Sequence, residues 1–260
     1  MIIGIPAICS ANRSVIEACM QQALEDLSLL LVESTSNQVN QYGGYTGMDA
    51  RKFVAHLGEM ARASSFPADR LILGGDHLGP GPWAKERPEI AMERGRYLVQ
   101  TCVEAGYQKI HLDASMALGG ESTPDLETIA ERAAELCQAA ENASSLRPGI
   151  NRPCYVIGTE VPPPGGAKVV EGEMVVTRVE DAEHTLEATR HAFQKRGLEH
   201  AWERVIALVV QPGVEYGDDF VIRYKPEKAR LLSEFIQEQP KLVYDRIRQI
   251  IRRQPNCARW

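Results

Sequence analysis

The chain has 260 residues, of which 44% are hydrophobic and 25% charged, and these proportions are typical of one large α/β domain. Its formal net charge of -6 disfavours nucleic-acid binding, which needs a dominant basic face. No apolar stretch approaches the roughly 20 residues that span a bilayer, and the start lacks the basic and apolar regions of a leader, so we predict a cytoplasmic protein without membrane contact.

Six short apolar runs, each ending in polar residues, recur along the chain. A strand buried on both faces reads as a continuous apolar run, and a parallel barrel carries its active site at the carboxyl ends of such strands. We therefore predict that the polar ends of the runs meet at one site. The runs and their polar ends occupy residues 7–10, 29–38, 71–77, 109–113, 155–160 and 207–211.

Stretches with apolar residues at helical spacing separate these runs. Strands that alternate with helices predict βαβ units and a parallel sheet. We favour a TIM-type (β/α)8 barrel over an open, doubly wound sheet, because no GxGxxG follows the first strand and nearly every strand ends in polar residues. Helix caps are expected in Ser10-Ala11-Asn12 before the first helix and in Thr123-Pro124-Asp125, followed by Glu127, before the fourth. The helical stretches are 15–27, 49–63, 90–105, 126–143 and 182–196.

The six cysteines are scattered, with no CxxC pair and no spacing typical of a zinc site. We predict reduced thiols, and we expect Cys9 and Cys154 to serve as small packing residues.

His77, His111 and Glu160 lie at the ends of three successive predicted strands. Imidazole and carboxylate groups suit Zn²⁺ or another divalent ion, which polarises a sugar carbonyl in a metal-assisted aldol or epimerisation site. The alternative is that both histidines bond to neighbouring polar groups and hold no metal.

Three carboxylates are candidates for general acid or base work. Glu33, Asp113 and Glu215 each lie at the end of an apolar run, where burial is expected to raise the pKa of a carboxyl group. Taken singly, each is weak evidence for catalysis.

A polar segment at residues 34–47 is rich in amide and hydroxyl groups that suit hydrogen bonds to a sugar. The alternative is a turn-rich loop that satisfies its own backbone. Trp83 is either a stacking platform for a sugar or a cap on the barrel rim. Residues 161–177 form either a binding lid or an ordinary surface loop. The candidate substrate contacts are Ser36, Asn37, Gln38, Asp76 and Gln211.

Five longer motifs cover much of the chain. They closely resemble the Z-type subunit family of D-tagatose-1,6-bisphosphate aldolase (GatZ/KbaZ), which serves galactitol and N-acetylgalactosamine breakdown, and the resemblance runs from Gly4 to about Tyr244. The motifs are ESTSNQVNQYGGYTGM at 33–48, GGDHLGP at 74–80, KIHLDASM at 109–116, VIGTEVP at 156–162 and VVQPGVE at 209–215.

The resemblance implies a TIM barrel related to class II zinc aldolases. It implies a non-catalytic subunit that a catalytic Y-type class II aldolase partner needs for stability and full activity. One alternative is a metal-dependent sugar-phosphate 4-epimerase, in which His77, His111 and Glu160 hold the ion and Glu33 or Asp113 moves protons. A kinase is not supported, because the sequence has no GxxxxGK[ST] loop.

The last sixteen residues depart from the family. Family members continue after Leu-Val-Tyr with Glu-Ala-His-Ser-Thr-Asp-Tyr-Gln-Thr, whereas residues 245–260 carry five arginines and one aspartate. Synonymous codons for Ala-His-Ser-Thr-Asp-Tyr-Gln-Thr-Pro, moved by one base, encode the string at 246–253. We therefore expect a barrel domain at 1–244 and an out-of-frame tail at 245–260; the alternative is a genuine basic helix.

The apolar runs supply six complete strands, and residues 241–244 start a seventh. A closed TIM barrel needs eight strands. We therefore expect an incomplete barrel with open sheet edges, little or no catalytic activity and marginal solubility. An inactive truncated product is accordingly a third possibility, beside the accessory subunit and the epimerase.

Overall fold

A computed structural model describes residue 5 and residues 7–146, 152–158, 175–216, 221–239 and 243–245. Three parts of the sequence predictions fall outside these residues. They are Glu160, most of the predicted loop at 161–177, and the tail from residue 246 onward.

Seven parallel strands form the main sheet, in the order in which they occur along the chain. A short antiparallel pair, β7 (Glu215–Tyr216) and β8 (Val221–Ile222), follows the sixth strand. The seven strands of the main sheet are β1 (Ala7–Cys9), β2 (Leu30–Thr35), β3 (Leu71–Leu78), β4 (Lys109–Leu112), β5 (Cys154–Ile157), β6 (Val205–Val209) and β9 (Val243–Asp245).

Helices connect these strands. The predicted alternation is confirmed, and the bounds of the five predicted helices differ from the observed ones by at most three residues; the sequence analysis does not predict the short helix before β6 or the helix before β9. The helices are α1 (Arg13–Glu25), α2 (Ala50–Ala63), α3 (Pro88–Ala105), α4 (Leu126–Ser145), α5 (Val179–Lys195), α6 (Glu199–Trp202) and α7 (Pro226–Glu238).

The strand order confirms a barrel-type α/β fold. Every strand of the main sheet pairs in parallel with the next one along the chain. A doubly wound sheet would reverse its order at a switch point, and no reversal occurs among the described strands. Within the described residues the main sheet has seven strands, one fewer than a closed eight-stranded barrel contains, in agreement with the strand count from the sequence.

The caps of α1 and α4 lie at the last residues of the two predicted cap segments. Asn12 Oδ1 accepts a hydrogen bond from the Val15 amide, and Asp125 Oδ1 accepts one from the Thr128 amide. Each satisfies an amide that the first turn of a helix leaves without a partner. These caps fix where α1 and α4 begin.

The core lies between the sheet and its helices. Strand β2 is buried along almost its whole length, and β4, β5 and β6 are buried throughout. Among the described helices, none has the length and apolar character needed to cross a membrane.

Candidate metal centre at the carboxyl ends of β3 and β4

The carboxyl ends of β3 and β4 bring four polar side chains together. Asp76 and His77 lie in the last part of β3, His111 lies in β4, and Asp113 directly follows β4. Because parallel neighbouring strands end at the same side of a sheet, residues from two distant parts of the sequence become neighbours. The predicted meeting of the polar strand ends is confirmed for these four residues.

The backbone at His77 departs from regular strand geometry. Its φ angle is +49°, in the left-handed region that residues other than glycine rarely adopt. The register between β3 and β4 shifts between Gly75 and Leu78, so His77 lies at an irregularity of the strand pair. Its amide donates to His111 Nδ1 at 3.2 Å, and its carbonyl accepts from Ser36 Oγ at 2.8 Å.

The His77 ring is oriented by Asp113. Nδ1 of His77 lies 3.0 Å from Asp113 Oδ2, and the other oxygen of Asp113 accepts from the Ser115 amide and hydroxyl. A proton on Nδ1 gives the neutral ring a lone pair on Nε2. That atom lies 3.7 Å from Asp76 Oδ1.

The His111 ring is buried and has contacts at both nitrogens. Its Nε2 lies 3.3 Å from the Gly158 carbonyl, which can only accept, so Nε2 carries a proton when this bond forms. Its Nδ1 then accepts from the His77 amide. The same Nδ1 lies 3.3 Å from Asp76 Oδ1, to which it donates when this nitrogen carries the proton.

Both aspartates are held in the ionised form. Burial alone would raise the pKa of Asp76, but the hydrogen bond with His111 and the charges of His77, His111 and Lys109 outweigh it, and the pKa lies far below its ordinary value. Burial likewise opposes ionisation of Asp113, yet the hydrogen bond from His77 and the charges of both histidines lower its pKa to about 2. The predicted upward shift at Asp113 is wrong, because hydrogen bonds to the charged form outweigh desolvation.

A divalent cation fits this donor set. Asp76, His77 and His111 each offer a ligand atom, and these atoms lie within 4.8 Å of one another. The ionised carboxylates of Asp76 and Asp113 supply negative charge beside the imidazole nitrogens, and carboxylate and imidazole groups are ligands that divalent ions accept. Of the predicted metal ligands, His77 and His111 are brought together, and Glu160 lies outside the described residues.

Glu33 lies deeper in the sheet than the metal ligands. Its carboxylate accepts from Lys109 Nζ at 2.8 Å, and both side chains are only 1% exposed. Gly74 lies between them in the strand register, and its lack of a side chain leaves room for the carboxylate. Lys109 was not singled out from the sequence, although its spacing of two from His111 places both on one face of β4.

The polar segment after β2 bonds largely to itself. Gln38 Oε1 accepts from the Thr35 amide, Asn40 Oδ1 accepts from two amides of its own loop, and Thr46 Oγ1 donates to the Gln38 carbonyl. Ser36 and Gln38 are buried, whereas Asn37 is exposed. The contacts match the alternative of a self-satisfied loop, and Asn37 offers the segment's accessible amide.

Trp83 is buried under the rim of the site face. Its side chain is 7% exposed and packs edge-on against Tyr42, whose ring is 68% exposed and lies under the Arg94 guanidinium. Of the two interpretations of Trp83, these contacts match the rim cap.

Gln211 follows β6 and organises its own loop. Its Oε1 accepts from the Gly213 and Val214 amides, and its backbone amide donates to Thr177 Oγ1. Glu215 opens β7, which places it in the antiparallel pair outside the main sheet.

Comparison with known proteins gives consistent results. The family model described as "D-tagatose-1,6-bisphosphate aldolase subunit GatZ/KbaZ-like" matches residues 1–247. The chain is 50% identical over 244 residues to a D-tagatose-1,6-bisphosphate aldolase subunit GatZ of Klebsiella pneumoniae, covering 94% of this chain and 57% of that protein. It is 46% identical over 243 residues to a D-tagatose 6-phosphate 4-epimerase of Agrobacterium fabrum, covering 93% and 57%.

A solved structure shares the fold closely. It is titled as a probable tagatose 6 phosphate kinase from Sinorhizobium meliloti, and it matches with a TM-score of 0.83 at 40% identity, over 93% of this chain and 58% of that one. The chain therefore spans 57% of the length of each of the two relatives and 58% of this solved chain.

Proposed function

The chain belongs to the D-tagatose-1,6-bisphosphate aldolase subunit GatZ/KbaZ-like family, and from this premise we propose that it acts as a non-catalytic subunit of that aldolase. Its partner is a catalytic, Y-type class II aldolase subunit, whose stability and activity it supports. The observation that carries the proposal is the 50% identity to a GatZ subunit over 94% of the chain.

The geometry is compatible with a supporting role. The loop after β2 directs most of its polar groups inward, and Glu33 is bound in a buried ion pair with Lys109. Removing either partner of such a pair would leave an uncompensated buried charge, so both side chains are part of the packed interior. The features favour a rigid scaffold on which a partner assembles.

Mixing experiments test this role. The full chain is added to a purified Y-type subunit, and cleavage of D-tagatose 1,6-bisphosphate is followed over time at a fixed temperature. We expect the chain to raise the initial rate and to lengthen the half-life of the activity, with no cleavage by the chain alone. A Y-type subunit with unchanged rate and half-life would refute the proposal.

A second function, metal-dependent 4-epimerisation of a sugar phosphate, is favoured by the cluster of Asp76, His77 and His111. The relative named as a D-tagatose 6-phosphate 4-epimerase, at 46% identity, supports it further. Asp76 and the two imidazoles would hold a Zn²⁺ or similar ion, which when bound supplies Lewis-acid polarisation of a substrate oxygen. Asp113 orients His77 by accepting a hydrogen bond from its Nδ1–H, with the two atoms 3.0 Å apart.

One variant separates the two functions. His77→Ala removes an imidazole from the cluster without touching the outer surface of the helices. The accessory function predicts that this variant still raises the rate of the Y-type subunit, within about two-fold of the native chain. The epimerase function predicts that the native chain converts D-tagatose 6-phosphate in a metal-dependent reaction and that the variant does not.

A further inference from the structure

Two side chains from neighbouring strands hold the backbone of His77 in the left-handed region. A non-glycine residue stays in this conformation only where its surroundings determine it fully. From the β4 side, His111 Nδ1 accepts from the His77 amide at 3.2 Å. From the β2 side, Ser36 Oγ donates to the His77 carbonyl at 2.8 Å.

Ser36 is itself held rigidly. Its side chain is buried, with the residue 4% exposed, and its carbonyl accepts from Asn40 Nδ2 at 2.8 Å. The same loop is closed by the bond from the Thr35 amide to Gln38 Oε1. The hydroxyl is thus a fixed anchor, and among the described residues it bonds outside its own loop to His77.

The orientation of the His77 ring depends on this anchor. A ring on a left-handed backbone points in a different direction from one on a regular strand, since φ sets the direction of the Cα–Cβ bond. In the observed conformation Nδ1 meets Asp113 at 3.0 Å and Nε2 lies 3.7 Å from Asp76 Oδ1. Relaxation of the backbone toward strand geometry would move both nitrogens away from these partners.

We propose that Ser36 is a positioning residue, which fixes the His77 backbone and so places the His77 imidazole between Asp113 and Asp76 for binding a divalent cation. This role differs from the sugar contact expected of Ser36 from the sequence. The cation-binding part rests on the proposed metal function, whereas the placement of the ring stands on the contacts alone.

The first experiment measures Zn²⁺ binding by titration calorimetry on the full chain. Ser36→Ala is compared with Ser34→Ala, a matched control two residues away. Ser34 is also buried, and its hydroxyl bonds Tyr107 Oη at 2.6 Å. We expect Ser36→Ala to weaken Zn²⁺ affinity at least ten-fold, and Ser34→Ala to change it less than three-fold while lowering the unfolding midpoint to a similar extent. Equal Zn²⁺ affinities in the two variants would overturn the proposal.

The second experiment needs no metal. Nitrogen-15 NMR of histidine-labelled, metal-free chain reports which His77 nitrogen carries the proton, with the signal assigned by its absence in His77→Gln. We expect a single Nδ1–H form in the native chain and in Ser34→Ala, and a mixture in Ser36→Ala. An unchanged His77 signal in Ser36→Ala would refute the positioning role.

The two experiments test the metal function and the placement of His77 separately. A native chain that binds no Zn²⁺ contradicts the metal function and the cation-binding part of the inference, while the NMR result decides the placement of His77 independently. If Ser36→Ala does not fold, Ser36→Cys replaces it, since a thiol fills the space with a weaker donor. We expect the Zn²⁺ affinity of Ser36→Cys to lie between that of the native chain and complete loss. A native His77 signal together with native Zn²⁺ affinity in Ser36→Cys would contradict the proposal.

Discussion

Asp113 uses both carboxylate oxygens, one on His77 and the other on Ser115. An amide offers only one acceptor oxygen, so Asp113→Asn must give up one of these bonds. We expect Asp113→Asn to weaken Zn²⁺ binding by about 10- to 100-fold, the usual effect of removing the group that orients a metal-bound imidazole. Calorimetric titration of the full chain with Zn²⁺ measures it.

Asp49→Asn is the matched control for this change. Asp49 caps α2 by accepting from the Lys52 amide, a task that asparagine performs equally well. Unchanged Zn²⁺ affinity in Asp113→Asn, or an equal loss of affinity in both variants, would show that Asp113 does not orient His77 for Zn²⁺ binding.

Gly74 makes the buried ion pair possible. A methyl group at this position would lie 2.8 Å from Glu33 Oε1 and 2.9 Å from Leu31 Cδ1. We expect Gly74→Ala to displace the carboxylate from Lys109 and to lower the free energy of unfolding by about 2 to 4 kcal/mol. Urea titration followed by circular dichroism measures this loss.

A second glycine gives the opposite expectation. Gly58 lies inside α2, and a methyl group there would have no atom within 4 Å. Gly58→Ala should raise the free energy of unfolding by about 0.5 to 1 kcal/mol, since alanine loses less conformational entropy in a helix. If Gly74→Ala and Gly58→Ala are equally stable, the close approach of Glu33 and Leu31 to position 74 does not destabilise the Gly74→Ala variant.

The residues of the site could be predicted from the sequence only in part. His77, His111 and Asp113 end apolar runs, and parallel strands place such ends side by side. The roles of Ser36 and Asp113 depend on the left-handed backbone at His77 and on contacts between residues 36 to 41 positions apart. No local pattern encodes those contacts, so the sequence cannot predict the hydrogen bonds that lower the pKa of Asp113 or the bond between Ser36 and His77.

At the scale of an element, the start of α4 makes stability depend on pH through its cap. The Asp125 carboxylate accepts from the Thr128 hydroxyl and amide, and these bonds lower the pKa of Asp125 below its ordinary value of 3.8. The ionised cap therefore stabilises the fold fully above pH 3.8, and this contribution disappears as the pH falls through the lowered pKa. A negative charge at the amino end of α4 also interacts favourably with the helix dipole.

Comparison with Asp125→Asn isolates the charge of the cap. Asparagine keeps an acceptor oxygen but does not titrate, so the native chain should be the more stable protein at pH 6 and should lose this advantage as the pH falls below about 4. Urea titrations at several pH values measure the difference between the two proteins. Stability curves that stay parallel down to pH 3 would contradict the assigned pKa shift.

Most of the helices and strands can be predicted from periodicity, whereas the antiparallel pair and α7 are missed. Five helices and six strands were predicted, because apolar spacing over ten or more residues and continuous apolar runs are strong signals. The antiparallel pair β7 and β8 has two residues in each strand, and no periodicity can appear over so short a length. Helix α7 carries a proline at its first position, which was available as a start signal.

At the scale of the whole molecule, strand order could be predicted because sequential βα units have few arrangements. A right-handed crossover places each strand beside its predecessor, and the absence of a GxGxxG turn disfavoured the doubly wound order. The conformation of the loops beyond β5 and β6 could not be inferred this way, since loop conformation depends on contacts between residues that lie far apart in the sequence. Glu160 belongs to that part of the chain.

Two buried thiols report whether the barrel domain unfolds as one unit. Cys102 lies on α3 and Cys137 on α4, both are fully buried, and burial raises the pKa of each thiol. Since only the thiolate of an accessible cysteine reacts quickly with a disulfide reagent, labelling of either residue requires opening of the core between the helices. We expect the opening free energies of the two sites to agree with each other and with the free energy of unfolding, within about 1 kcal/mol.

Peptide-resolved mass spectrometry after labelling at pH 8 makes the measurement. Cys19, half-buried on α1, is the internal control and should react in the native state well before the other two. Cys137 reacting at a lower free energy than Cys102 would mean that α4 detaches from α3 without global unfolding. The helix layer would then be a set of separable units around the sheet, and the scaffold role proposed for this chain would need a partner to hold those units in place.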